Sequence, residues 1–211
     1  MPVMSLLPYI AGGAAAYLLG AVPFGLLIGR ARGVDIRTVG SRNIGATNVF
    51  RTVGKPWGLL AFACDALKGL AACTLIPALA AGPDAAPGGS GLPLACACLA
   101  IAGHNWPIYL RFRGGKGVAT SVGALLGLAP AAAAIGLGVW IAVFAATRYV
   151  SLASMIAAAA VAASAWALFH PVDRLIPWFL TALALLVIVR HHGNIRRLLN
   201  GTENRFGRKH G

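Results

Sequence analysis

The chain has 211 residues, of which 58% are hydrophobic and only 11% are charged. A soluble domain is about 45–50% apolar and about 25% charged, so this composition excludes a soluble globular domain and also a disordered chain. Lys and Arg number 18 against 5 Asp and Glu, which gives a formal charge of +13. Most of these charges fall in short gaps between apolar runs, which is typical of the loops of a membrane protein.

Seven apolar segments predict transmembrane helices, because a hydrocarbon core about 30 Å thick requires roughly 20 apolar residues per crossing. No basic region precedes the first segment, so it is interpreted as a full span and not as a signal peptide. Frequent Ala and Gly allow close helix packing. We expect a single domain, residues 1–211, with an all-α fold. The predicted spans are 4–29, 57–81, 93–110, 118–129, 131–147, 150–169 and 175–190.

The segment 118–129 is short for a span, since it covers only about 18 Å at 1.5 Å per residue. Alternatively, it merges with 131–147 into one helix kinked at Pro130. With seven crossings and the N-terminus outside, sixteen of the 18 Lys and Arg residues lie on the inner side, whereas six crossings leave ten there. Cytoplasmic loops carry the excess of Lys and Arg, so we expect an integral membrane seven-span helical bundle with one short span and a cytoplasmic C-terminus.

Polar residues cluster in three stretches, 40–51, 103–120 and 190–207, and all three fall on the predicted inner side. Their convergence on one face from distant parts of the chain is the main indication of a functional site. No metal is expected, because the four cysteines lie inside apolar runs without C-x-x-C spacing or a nearby His. They are Cys64, Cys73, Cys96 and Cys98.

The second stretch contains the sequence Arg-Gly-Gly-Lys-Gly at 113–117, directly before an apolar helix. Consecutive glycine N–H groups can form an anion-binding nest, and the helix that follows offers free N–H groups and the positive end of its dipole. Lys116 adds a charge, and Thr120 and Ser121 place two hydroxyls in the first turn. The pattern predicts a phosphate cradle, although it is not a Walker A loop. The alternative is a flexible loop whose lysine only orients the chain.

The first stretch carries several donors, with no carboxylate between residues 36 and 64. That composition favours an anion or a polyol over a metal, and the alternative is a polar, capped turn beside lipid headgroups. Its candidate residues are Ser41, Asn43, Thr47, Asn48 and Arg51.

The third stretch is basic and contains the only glutamate of the chain, Glu203. Glu203 either orients basic side chains or acts as a base. The alternative for Arg196 and Arg197 is binding to anionic lipid, which basic helices beside a membrane often do. The other candidates are His191, His192 and Asn194.

Asp65 and Lys68 are spaced i, i+3 on the second predicted span and can form an ion pair. Charges inside a membrane are costly and usually paired, so structural pairing is the first interpretation and a role in the site is the second. His104 is either a base or a hydrogen-bonding residue at a helix end. His170, in an outer turn beside Pro171, is expected to be inert.

These stretches resemble, in order and spacing, the three signature motifs of the bacterial acyl-phosphate-dependent glycerol-3-phosphate acyltransferases. The resemblance runs nearly from end to end and includes Asp65-x-x-Lys68-Gly69. One departure is Arg42, where many relatives carry Gly. The matching motifs are Ser41-x-Asn43-x-Gly45-Ala46-Thr47-Asn48-x-x-Arg51, Gly103-His104 with Gly114-Gly115-Lys116-Gly117-Val118-Ala119-Thr120, and His191-x-x-Asn194-Ile195-x-Arg197-Leu198-x-x-Gly201-x-Glu203.

The resemblance implies a multi-pass enzyme of the bacterial inner membrane, with seven spans and an active site facing the cytoplasm. It implies transfer of a fatty acyl group from acyl phosphate to the 1-hydroxyl of sn-glycerol 3-phosphate, giving 1-acylglycerol 3-phosphate (lysophosphatidate) and phosphate for phospholipid synthesis. The expected partners are these two substrates and membrane lipids, without a cofactor, a nucleic acid or an obligatory protein partner.

The resemblance also assigns the glycine motif to the phosphate of the donor, and Ser41, Asn48 and Arg51 to glycerol phosphate. The general base is left open between His104, His191 and the donor phosphate, with the phosphate preferred. The expected catalytic residues are Ser41, Arg51, His104, Lys116, His191, Asn194 and Glu203. The expected substrate-binding residues are Asn43, Thr47, Asn48, Gly114, Gly115, Gly117, Thr120 and Arg197.

Three other classes of protein fit the sequence less well. Many acyltransferases that use thioester donors carry His-x-x-x-x-Asp, which none of the first four histidines begins. A nucleic-acid binder predicts aromatic residues in the basic tail, where only Phe206 occurs. A small organic-anion transporter remains the alternative function. The short segment 118–129 favours it, but a transporter usually binds its substrate near the midplane between related repeats.

Overall fold

The computed structural model describes residues 6–82 and 89–207, and throughout these residues the regular structure is helical. Most of the predicted outer loop 82–92, including Asp84, lies outside the described residues, as do residues 4 and 5 of the first predicted span and the basic residues Arg208 and Lys209. The helices are α1 Leu7–Ala21, α2 Phe24–Ala31, α3 Ala46–Thr52, α4 Lys55–Ala81, α5 Gly91–Asn105, a 3₁₀ turn Ile108–Leu110, α6 Val118–Leu128, α7 Pro130–Thr147, α8 Val150–Leu168, α9 Leu175–Arg190 and α10 His192–Leu199.

Every predicted span overlaps a helix, which confirms the all-α class. Within the described residues, four helical segments are long and apolar enough to cross a membrane: α1 with α2, α4, α7 and α8. A fifth is added if α9 and α10, which meet at a 56° bend, count as one span. The helices α5 and α6, with 15 and 11 residues, are shorter. Helix length alone therefore supports a multi-pass chain without fixing the number of crossings.

Two predicted spans differ from the structure at their ends. The span 4–29 is broken at Pro23, because proline has no N–H for the helical ladder and disfavours helical geometry in the preceding residue. The span 93–110 stops at Asn105, before Trp106 and Pro107, for the same reason. The short segment 118–129 is a helix of its own, since α6 ends at Leu128, Ala129 is non-helical, and Pro130 occupies the first turn of α7.

The chain forms two compact units, residues 1–128 and 129–211. In the first unit, helices approach so closely that only glycine fits. A Cβ at Gly103 of α5 would overlap the carbonyl oxygen of Tyr17 of α1, and one at Gly123 of α6 would overlap that of Ala66 of α4. This packing by small residues is how apolar helices associate where lipid is as apolar as the helix surface.

A small apolar core at one end of the first unit holds the polar stretch 40–51 in place. It joins α2, α3 and α4 to the intervening loop, and its partly buried rim includes Trp57 and Leu110. Because this loop is tied to three helices, the first polar stretch has a defined conformation. The buried core residues are Leu26, Ile36, Ile44, Val49 and Ala61.

In the second unit, α8 packs against both α7 and α9. The segment after α10 returns to the junction of α7 and α8, where the Phe206 N–H donates to the Arg148 carbonyl at 3.0 Å. The Phe206 ring lies edge-on to Phe144, which stacks on Trp140 at 4.9 Å. The third polar stretch is therefore held against the helices of its own unit.

Replacing Gly103 by Val is expected to destabilise the protein by about 1–3 kcal/mol, because the new side chain must push α5 away from Tyr17. The matched control is Gly138→Val in α7, since a Cβ at Gly138 meets no described atom within 4 Å. Thermal unfolding in detergent, followed by tryptophan fluorescence, should show a clear loss for Gly103→Val only. Equal losses for the two variants would contradict the close contact of α1 and α5.

Candidate functional site

The loop before α3 is organised by the buried amide of Asn48. Its oxygen accepts from the Ser41 N–H at 2.9 Å, and its nitrogen donates to the carbonyls of Ile36 (2.8 Å) and Asn43 (2.9 Å), with a longer contact to Val39 (3.2 Å). Both amide N–H groups are therefore used within the loop. Asn48 therefore shapes the loop that carries Ser41, and its expected role in substrate binding stays a prediction.

The other residues of this stretch lie nearer the surface. Asn43 accepts from the Gly45 N–H at 2.9 Å and shapes the entry to α3. Ser41 and Arg51 are exposed and Thr47 is half-buried. Arg42 adopts φ +55°, a left-handed conformation that glycine adopts without strain and other residues seldom do. A glycine, which the resemblance leads one to expect at this position, would adopt this backbone conformation without strain.

The glycine loop 114–117 lies on the C-terminal end of α5. The Gly115 N–H donates to the His104 carbonyl at 3.0 Å. A Cβ at Gly114 would overlap that same carbonyl, and one at Gly115 would overlap His104 Nε2. Gly117, at φ +78°, packs against the Asn105 amide. The loop is therefore seated on α5, and the Gly115 N–H predicted to face an anion is already used.

Two buried hydroxyls follow the loop in the first turn of α6. Thr120 is fully buried, Ser121 is 5% exposed, and neither side-chain oxygen has a hydrogen-bond partner in the described structure. A buried hydroxyl without a partner is costly and calls for an explanation such as a ligand. With the half-buried Lys116 just before α6, these groups suit an anion at the start of the helix.

Beneath the loop, a buried polar cluster connects α4 to α5. Lys68 Nζ lies 2.7 Å from Asp65 Oδ1 and 3.1 Å from His104 Nδ1. The prediction that Asp65 and Lys68 pair is confirmed by this distance. The same lysine also contacts a histidine that touches the glycine loop, which the sequence did not indicate.

In the second unit, Glu203 binds three side chains with its carboxylate. Its Oε1 accepts from Ser151 Oγ at 2.8 Å and from Asn194 Nδ2 at 2.6 Å, and its Oε2 accepts from Arg197 Nε at 2.7 Å. Burial acts to raise the pKa of Glu203, but the hydrogen bonds from Asn194, Ser151 and Arg197 outweigh it and hold the pKa below its ordinary value. An ionised Glu203 thus orients the polar residues of α10, one of the two roles considered for it.

His191, at the junction of α9 and α10, is buried, and its Nδ1 lies 2.7 Å from the Val187 carbonyl. A carbonyl only accepts, so Nδ1 carries the hydrogen, and in the neutral ring the lone pair is on Nε2. His192 makes a similar contact with the Val189 carbonyl at 3.0 Å but is exposed. His191 is therefore the histidine of this pair that is fixed in one orientation.

The structure brings predicted residues together within each unit: His104 with the glycine loop, Asn48 with Ser41, and Asn194 and Arg197 with Glu203. That all three stretches share one pocket stays a prediction. Ser151 was missed by the sequence analysis. Its signal was its place in the first turn of α8, next to Arg148 on the predicted inner side.

Comparison with known proteins gives a consistent result. The profile of the family described as glycerol-3-phosphate acyltransferase matches residues 10–201. A glycerol-3-phosphate acyltransferase of Desulforudis audaxviator is 48% identical over 90% of this chain and 92% of its own length. One of Geobacter sulfurreducens is 46% identical over 92% and 95%.

Among solved structures, the chain resembles PlsY (YgiH), an integral membrane glycerol 3-phosphate acyltransferase. The glycerol 3-phosphate form superposes with a TM-score of 0.82 at 39% identity, over 94% of this chain and 96% of that one. The lysophosphatidic acid form gives a TM-score of 0.80 at 38% identity, over 94% and 95%. With the apolar helices described above, this likeness establishes a multi-pass membrane protein.

Replacing Glu203 by Gln is expected to lower the thermal midpoint at neutral pH, and the difference from the wild type should shrink in acid. Because the folded pKa lies below the ordinary value of 4.5, ionised Glu203 stabilises the fold fully above that pH. The contribution is lost as the pH falls through the folded pKa. Melting curves across the acidic range test this, and Ser151→Ala, which keeps the carboxylate, should be milder at neutral pH. A difference that is constant with pH would contradict the role given to the ionised carboxylate.

Proposed function

The chain belongs to the glycerol-3-phosphate acyltransferase family, and from this premise we propose that its acyl donor is acyl phosphate. The fatty acyl group then passes to the 1-hydroxyl of sn-glycerol 3-phosphate, giving 1-acylglycerol 3-phosphate and inorganic phosphate. The observation that carries the proposal is the glycine loop before α6, which contains Lys116 and is followed in the first turn by two buried hydroxyls that lack partners in the described structure. A loop of this kind fits a phosphate better than a thioester.

In the proposed reaction the main task of the protein is to position the two substrates. Acyl phosphate is a mixed anhydride and is already activated, so no protein nucleophile is needed. The glycerol hydroxyl attacks the acyl carbonyl, the bond from the carbonyl carbon to the phosphate oxygen breaks, and phosphate departs with the electron pair. The protein has to align the hydroxyl and stabilise the negative charge that gathers on the departing phosphate.

The hydroxyl proton has three candidate acceptors, and we propose the donor phosphate. If its second pKa is near the ~6 of phosphate monoesters, it is suited to accept a proton near neutral pH. His191 is the alternative, because in the neutral ring its Nε2 holds the lone pair while Nδ1 donates to Val187. His104 is less suited to this role, because its Nδ1 contacts the Lys68 ammonium.

We assign glycerol 3-phosphate to the first stretch, and further site residues come from the third stretch. Ser41 and Arg51 are exposed in the loop and helix organised by Asn48, and they would bind its phosphate and hydroxyl groups with Asn43 and Thr47. From the third stretch we assign His191 and Asn194 to catalysis and Arg197 to substrate binding. Glu203 acts through Asn194 and Arg197, since its carboxylate holds both side chains.

The membrane arrangement is proposed as seven crossings, with the N-terminus outside and the active site at the cytoplasmic face of the bacterial inner membrane. The distribution of Lys and Arg supports it. Helices of 15 and 11 residues cover only about 22 and 16 Å. We therefore expect α5 and α6 to cross where protein neighbours or a thinner bilayer make up the difference. The acyl chain would lie between apolar helices, with both phosphates at the interface.

A direct assay tests the donor. Purified, reconstituted protein is given acyl phosphate and labelled glycerol 3-phosphate, without thioester or added metal, and is expected to release lysophosphatidate and phosphate in equal amounts. Strict dependence on an acyl thioester would reject the donor. Accumulation of labelled glycerol 3-phosphate inside vesicles, without a lipid product, would support the organic-anion transporter instead.

Lys116→Ala is expected to reduce kcat/KM for acyl phosphate about a hundredfold, because a charged donor to the transferring group is lost. Lys55→Ala is the control, since Lys55 is an exposed lysine in the first turn of α4. Steady-state kinetics in matched vesicles gives the comparison. Turnover by the Lys116 variant equal to that of the wild type would reject the assignment of the loop to the donor phosphate.

A further inference from the structure

A buried polar cluster formed by Asp65 and Lys68 of α4 and His104 of α5 reaches the glycine loop through His104. All three residues are at most 4% exposed. Lys68 Nζ contacts three groups: the Val22 carbonyl at 2.8 Å, Asp65 Oδ1 at 2.7 Å and His104 Nδ1 at 3.1 Å. Ion pairing explains Asp65 and Lys68 on their own, but it does not explain why the lysine also faces a ring nitrogen.

The hydrogen-bond inventory fixes the tautomer of His104. An ammonium group has three N–H donors and no acceptor, and here it donates to the Val22 carbonyl, pairs ionically with Asp65 and contacts His104 Nδ1. His104 Nδ1 must then accept, which leaves the ring proton on Nε2.

Asp65 does not change this assignment. Its Oδ1 lies 3.6 Å from His104 Nδ1, which is beyond hydrogen-bonding distance, while the same atom is 2.7 Å from Lys68 Nζ. The carboxylate therefore neutralises the lysine and keeps it charged in an apolar setting. The lysine in turn determines which nitrogen of the ring is protonated.

The protonated nitrogen lies at the glycine loop. A Cβ on Gly115 would overlap His104 Nε2, so this atom occupies the place where any other residue would put its side chain. The backbone of the same histidine holds the loop, because the His104 carbonyl accepts from the Gly115 N–H at 3.0 Å. His104 thus positions the loop with its carbonyl and presents an N–H with its ring.

We propose that His104 is a hydrogen-bond donor to the phosphoryl group bound at loop 114–117, and that Lys68 and Asp65 are positioning residues that keep its ring proton on Nε2. This inference rests on the proposed function for the identity of the phosphoryl ligand. It removes His104 from the candidates for general base, since its Nδ1 lone pair is taken by Lys68 and its Nε2 bears the proton. The donated hydrogen bond would strengthen as negative charge gathers on the departing phosphate.

The tautomer is tested without any substrate. Protein carrying ¹⁵N-labelled histidine, in detergent micelles, is examined by long-range ¹H–¹⁵N correlation, and the His104 signals are assigned by their absence in His104→Gln. We expect the Nε2–H form. Lys68→Met should release Nδ1 and give a mixture of forms, whereas Lys55→Met, the same change at an exposed position of α4, should leave the spectrum unchanged.

The donor role is tested by two amide substitutions of His104. Gln can place its side-chain N–H near the position of ring Nε2, whereas Asn places its amide near Nδ1. We expect His104→Gln to keep kcat/KM for acyl phosphate within about tenfold of the wild type. His104→Asn should lose about ten- to a hundredfold more, with the KM for glycerol 3-phosphate unchanged in both variants.

The results distinguish an error in the proposed role of His104 from an error in the proposed acyl donor. An Nδ1–H or doubly protonated His104 in the wild type would overturn the proposal. This test uses the wild-type protein, so it is valid even if Lys68→Met does not fold. Equal loss in His104→Gln and His104→Asn would also overturn it. If the wild type makes no lysophosphatidate from acyl phosphate, the proposed donor is wrong, and the spectrum still decides the tautomer.

Discussion

A charged pair inside an apolar helix needs polar partners close by, and this constraint organises the first unit. Lys68 donates to the Val22 carbonyl at the break between α1 and α2, forms an ion pair with Asp65 on its own helix, and contacts His104 on α5. One ammonium group therefore ties three parts of the chain together. The Val22 carbonyl lies within reach because Pro23 interrupts the helix there. The helix break, the ion pair and the orientation of the histidine form one arrangement.

The glycine loop packs against this arrangement through His104. Sequence reasoning assigned its glycines to the approach of an anion, which explains one side of the loop. The same glycines also pack against protein, because side chains at Gly114 and Gly115 would overlap the carbonyl and the ring of His104. Gly117 needs its positive φ to turn the chain into α6. Glycine is thus required for packing on α5, and this packing brings ring Nε2 of His104 against the loop.

The sequence was most informative where local chemistry decides. Hydropathy located every long helix, the proline positions explain where two predicted spans stop early, and the spacing of Asp65 and Lys68 predicted their pairing. It was least informative where tertiary contacts decide. Asn48 is expected to bind substrate because it is polar and sits in a motif, and only the tertiary contacts show that its amide holds Ile36, Asn43 and Ser41. No periodicity distinguishes these two roles.

Ser151 and His104 also have roles that depend on contacts between residues far apart in the sequence. Ser151 lies 52 positions from Glu203 in the sequence, and only the return of the segment after α10 to the start of α8 makes it a hydrogen-bond donor to that carboxylate. His104 was recognised, but its role depends on a lysine 36 positions away. Pairings at such separations follow from helix packing, which a single sequence does not specify.

The two buried histidines are held in opposite tautomers, and this contrast connects the structure to the chemistry. Lys68 makes His104 Nδ1 an acceptor, so Nε2 bears a hydrogen. The Val187 carbonyl makes His191 Nδ1 a donor, so in the neutral ring Nε2 holds the lone pair. The proposed acyl transfer from a phosphate needs hydrogen-bond donors where charge accumulates and an acceptor for the hydroxyl proton. An N–H of His104 at the glycine loop would supply such a donor, whereas His191 Nε2 is the alternative to the donor phosphate as the acceptor.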